Sequence, residues 1–166
     1  SDSADPQLLR LSNGKLALLY VAQNPEFTDA NGQQLYVTTY DGSSWSEPTL
    51  FYDNGTVDAF ASVNDGYVTW TEIDTLSAGS TLADASTRIM AGKLSSDGTY
   101  SGLPLSVSGF GTLAYQPVIV DTSGTTPMSG SQTVIWQGNA NGDWFSPEGN
   151  VIYTATSGFA GMWNSP

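Results

Sequence analysis

The chain has 166 residues and a formal net charge of −12, from 16 Asp and Glu against 4 Lys and Arg, with no Cys and no His. That length suits one ordinary domain. Such a charge leaves no basic patch for phosphates or an anionic membrane surface, so neither nucleic acid nor membrane is an expected partner. Without Cys or His, disulfides, thiolate zinc sites, His-ligated metals and Ser-His-Asp catalysis are excluded within these residues.

Short runs of aromatic, β-branched and aliphatic residues, bounded by Gly, Asn, Asp or Pro, predict strands throughout. Residues 7–11 lead through the turn Asn13-Gly14 to 16–20. A long polar stretch follows, then 35–40, the turn Asp41-Gly42 and Trp45-Ser46-Glu47-Pro48. The layout returns as 60–63, Asp65-Gly66, 67–70, a second long stretch, 88–94, Asp97-Gly98 and 100–104. It returns again as 116–120, a turn at Gly124, 133–136 after a short insertion, 150–156 and Ser157-Gly158.

The turn glycines Gly14, Gly66 and Gly124 recur at intervals of 52 and 58 residues. Each interval holds four predicted strands, and Asn-Gly and Asp-Gly turns accept the positive φ that tight hairpins require. Pro48, Pro104 and Pro166 close the units, which suits an outer edge strand because Pro cannot donate to a central ladder. The expected fold is therefore all-β, with about three four-stranded antiparallel β-propeller blades. The blades are expected at about 5–53, 57–108 and 112–166. A β-sandwich is the alternative.

In its repeat layout and in Asp41-Gly42-Ser43-Ser44-Trp45 the chain resembles secreted bacterial β-propellers with sialidase-repeat or lectin-like blades. The sialidase box runs Ser-x-Asp-x-Gly-x-x-Trp; here Asp and Gly are adjacent and Trp stands one residue nearer. The resemblance implies that the loops between second and third strands share a face with the connections between blades, where ligands bind. It also implies that a sialidase would need an arginine cluster, whereas this chain has only Arg10 and Arg88.

Three blades make an incomplete ring, since propellers typically have about four to eight. Completion is expected from the remaining blades of the same propeller or from another copy of the chain. The long loops 22–34, 71–87 and 137–149 hold many of the carboxylates. Trp144 and Phe145, beside Glu148, with Glu72 and Asp74, form the candidate ligand set, because aromatic rings stack on sugar C–H faces while carboxylates bind hydroxyls. Alternating Asp and Asn before Gly can wrap a calcium ion, so Asp29 and Asn31, and Asn139, Asn141 and Asp143, are candidate metal ligands. No other cofactor is expected.

The expected function is an extracellular carbohydrate-binding or surface-recognition module within a larger propeller. One alternative is a fragment of a propeller-type glycoside hydrolase or polysaccharide lyase, with Glu72 paired to Asp74 or Glu148. The other is a scaffold without a ligand. No catalytic residue is assigned.

Overall fold

The computed structural model describes residues 3–74, 77, 80, 84–108, 113–122, 132–143, 146–157 and 163. The first sheet runs β1 (Ser3–Arg10), β2 (Leu16–Gln23), β3 (Gln33–Tyr40) and β4 (Thr49–Leu50), with a 3-10 turn at Ala30–Gly32 before β3. The second runs β5 (Val57–Asn64), β6 (Tyr67–Ile73), β7 (Thr87–Leu94) and β8 (Tyr100–Ser106). The third holds β9 (Leu113–Asp121), β10 (Gln132–Asn139) and β11 (Asn150–Thr156). In each sheet the strands pair antiparallel with their sequence neighbours. In the third sheet the fourth strand is represented, among the described residues, by the bridge between Ser157 and Trp163.

Successive side chains on a strand point to opposite faces, and this alternation stacks the sheets. Ala17, Leu19, Val21, Leu35 and Val37 of the first sheet bury against Val68, Trp70, Met90 and Leu94 of the second. Ile89 and Ala91, one residue out of phase with Met90, turn the other way and bury with Val134, Trp136 and Ala155 of the third. The middle sheet is thus covered on both faces, and two cores lie between three layers. These are three consecutive β-propeller blades.

In the first two blades the turn chemistry works as its sequence predicts; Gly124 and Gly158 of the third lie outside the described residues. Gly14 and Gly66 close the first hairpins of their blades at φ of 87° and 76°. In the β3–β4 and β7–β8 connections the carboxylates of Asp41 and Asp97 accept backbone N–H groups from Ser43 and Ser44, and from Thr99. Both turns then place Gly at positive φ, Gly42 at 107° and Gly98 at 89°.

A second repeat lies on the inner strands β1, β5 and β9. Each carries a bulge whose first residue has φ near 50°: Asp5 at 53°, Phe60 at 53° and Gln116 at 52°. The register shifts there, so Asp5-Pro6 stand opposite Tyr20, Phe60-Ala61 opposite Trp70, and Gln116-Pro117 opposite Trp136. One extra residue per inner strand sharpens the local twist. The aromatic opposite it fills the space that the bend opens.

Candidate functional site

In a meander of four strands the second connection and the link to the next sheet emerge at the same end. The β2–β3, β6–β7 and β10–β11 loops and the interblade links therefore share one end of the molecule. At this end the facing sides of the first two blades hold a buried polar cluster.

Asp58 on β5 and Glu72 on β6 are register partners, and both side chains are buried. Asp58 Oδ2 accepts the N–H of Leu35 at 3.1 Å, just beyond the point where β4 stops pairing with β3. The equivalent N–H of the next blade, Ile89, donates to the Ser108 hydroxyl at 2.8 Å, so the contact recurs with a neutral acceptor. Glu72 accepts from Asn54 Nδ2 at 2.6 Å and from Arg88 Nε at 2.5 Å, and the other Arg88 nitrogen completes the ion pair.

Burial, with a smaller contribution from the charge of Glu72, pushes the Asp58 carboxyl up to about 7, against the downward pull of the Leu35 N–H. Its Oδ1 and the indole nitrogen of Trp70 on the same face complete no hydrogen bond of good geometry, and the nearby indole N–H adds only a smaller downward pull on the carboxyl. The site therefore holds one paired carboxylate, Glu72, and one carboxyl that keeps its proton near neutrality.

Nearer the centre, Asp5 occupies the bulge of β1, and its Oδ2 accepts the Phe60 N–H at 3.3 Å, tying the first two inner strands together. At the equivalent bulges the side chains are Phe60 and Gln116. Of the three blades, the first alone offers a carboxylate at this position.

The residues singled out from sequence fall as follows. Glu72, expected in a loop, lies inside β6, because that strand continues to Ile73, and its carboxylate is enclosed rather than offered to solvent. Asp74 is exposed just beyond, with its N–H on the Ser86 carbonyl. Glu148 is exposed in the β10–β11 loop, on another blade from Glu72. Trp144 and Phe145 lie outside the described residues.

Asp29 accepts the backbone N–H and the side-chain amide of Asn31, closing its own loop. Asn139 is buried at the end of β10: its oxygen accepts the N–H groups of Asn141 and Asp143, and its amide donates to the carbonyls of Ser146 and Glu148. Asp143 in turn accepts the Ser146 N–H at 3.3 Å. Both loops are Asx turns, and among the described residues no three Asp or Glu converge as a metal cluster.

Asn54, Asp58 and Arg88 are not among the candidate site residues read from sequence, where Arg88 figures only as one of the two arginines. An Asp opening an apolar strand, two residues after a sequon-like Asn-Gly-Thr, was the one available signal.

No family model matches the sequence, and no curated protein matches it. Solved structures do. The chain superposes over 98% of its length on 53% of a thermostable family-43 glycoside hydrolase, with a TM-score of 0.59 and 13% identity. All of it superposes on 57% of an α-L-arabinofuranosidase from Lactobacillus brevis, with a TM-score of 0.60 and 10% identity. An endo-arabinase from Bacteroides thetaiotaomicron gives a TM-score of 0.57 at 14% identity, with 98% of this chain covering 60% of that one. At such identities the likeness bears on fold, and the fold is the propeller. The chain spans little more than half the length of these structures.

Proposed function

We propose that these blades belong to an extracellular glycan-processing propeller of the glycoside-hydrolase kind, acting on arabinose-containing polysaccharide. The observation that supports this reading most is the match of essentially the whole chain to an arabinofuranosidase and an endo-arabinase. Asp5 is the residue best suited to meet a sugar. It sits at a bulge on the innermost strand, half-buried rather than enclosed, and bulges often re-aim side chains beside active sites. Hydrolysis of a glycoside needs two carboxylates across the bond. Phe60 and Gln116 occupy the equivalent positions, so the second acid has to come from beyond these inner strands.

That shortage also supports a second reading, a glycan-binding propeller without turnover, to which the lectin-like Asp-Gly-Ser-Ser-Trp spacing belongs. Calorimetry and reducing-end assays on arabinan separate the two. Under the hydrolase reading, Asp5→Asn abolishes turnover while arabinan still binds within about threefold. Binding without any turnover in the parent protein selects the second reading, and neither binding nor turnover at millimolar sugar discards both.

Calcium is not needed for shape in this proposal, because both Asx loops close on their own hydrogen bonds. EDTA should leave the melting temperature unchanged. A rise of several degrees with millimolar calcium restores the cation-site reading of Asp29 and Asn139.

A further inference from the structure

Each blade has a leading face, turned to the blade before it, and a trailing face, turned to the blade after. Tyr20, Trp70 and Trp136 stand at one repeated position on the leading faces, each opposite an inner-strand bulge. Trp70 is 0% exposed under the first blade and Trp136 2% under the second. Among the described residues no blade covers Tyr20, which is half-exposed. It stacks on its cross-strand partner Tyr36 at 6.0 Å, as Trp136 stacks on Tyr153 at 5.7 Å.

Leu8, Leu18, Tyr40 and Trp45 extend this surface, which carries an apolar groove of about 390 Å³. The trailing faces repeat the comparison. Leu19 and Thr69 are both 0% exposed, whereas their counterpart Ile135 on the third blade is 36% exposed, flanked by Val118 and Ile152.

The two internal interfaces show what covers such faces. In each, large aromatic side chains of a leading face meet smaller aliphatic ones of a trailing face: Trp70 with Leu19 and Val37, then Trp136 with Ile89 and Ala91. The free faces keep the same division, aromatic on the first blade and aliphatic on the third, so one copy presents what another copy lacks.

We propose that two copies of this chain associate head to tail, the leading face of each on the trailing face of the other, and close a ring of six blades. Six lies within the typical range of about four to eight. A two-fold axis makes both contacts identical, and association stops at two. The central mouth beside Asp5 is then walled on all sides only in the pair, so any ligand site there is shared between copies. This inference rests on the blade packing and not on the proposed substrate, so its failure would leave the glycan reading to its own test.

Light scattering and sedimentation on the 166-residue chain test it. The expected mass is twice 17.5 kDa across micromolar concentrations. Leu8→Asp on the leading face (60% exposed) and Ile135→Asp on the trailing face should each yield monomers with unchanged circular dichroism. Mixing these two variants should restore a two-copy species, because one of the two contacts is then wild-type on both sides.

A monomeric parent chain overturns the proposal and leaves the faces to further blades of a longer polypeptide. So does growth beyond two copies, or an Ile135→Asp variant that still pairs.

Discussion

Asp58 and Glu72 stand side by side out of water, so folding must either desolvate two negative charges or leave a proton on one of them. Glu72 is paired with Arg88 and Asn54, and Asp58 holds its proton up to about pH 7. Between its ordinary 3.8 and about 7, the unfolded chain has lost the proton that the folded chain retains. Stability from this group therefore falls as pH rises through that window and levels off above it. Asp41 and Asp97 act with the opposite sign. Ser44 and Ser43 hold the first at about 2, and Ser95 and Thr99 hold the second at about 2, so their contribution is present above 3.8 and fades below it. Melting temperatures of the parent should peak near pH 4 to 5 and decline towards pH 7. Asp58→Asn should flatten the upper limb, with a gain at pH 8 of up to about 4 kcal/mol. An unchanged upper limb in that variant would show that Asp58 ionises normally. Arg88→Met should cost about 3 kcal/mol or more by leaving Glu72 buried and unpaired, and more than Glu72→Gln, since Arg88 reaches solvent.

At the scale of the element, the same aromatic position has different energetics in different blades. Trp70→Ala should lose about 3–5 kcal/mol in urea unfolding, because its ring packs edge-on against Phe51 in the first core. Tyr20→Ala should lose about 1 kcal/mol or less in a monomeric variant such as Leu8→Asp, since nothing among the described residues covers that face. Gly98 marks where turn and packing coincide. At φ of 89° its missing side chain faces Thr39 of the neighbouring blade. Gly98→Ala should therefore cost about 1–3 kcal/mol, through strain and through contact with Thr39. Gly14→Ala, with a similar φ but open space around it, should cost less.

At the scale of the whole molecule, three stacked sheets leave two apolar faces exposed, and exposed patches of that kind mark interaction surfaces. Closing the ring would bury both. The melting temperature of the parent chain should then rise with concentration, while that of Leu8→Asp should not.

Most strands, the hairpin turns of the first two blades and the three-fold layout were legible in the sequence because each rests on local chemistry, whereas the outer strand expected at 45–48 pairs instead as Thr49–Leu50. Gly or Asp at a turn and alternating apolar residues on a strand act within a few positions of one another. The repeated aromatics at Tyr20, Trp70 and Trp136 were legible for the same reason. The inner-strand bulges were not, since Asp5, Phe60 and Gln116 share no residue type and only the register of the paired strand reveals the extra residue. Nor was the enclosure of Glu72 legible. Its burial depends on Arg88 across the sheet and on Asn54 in the link between blades, and whether a carboxylate is offered to a ligand or spent on an ion pair is decided by what packs over it.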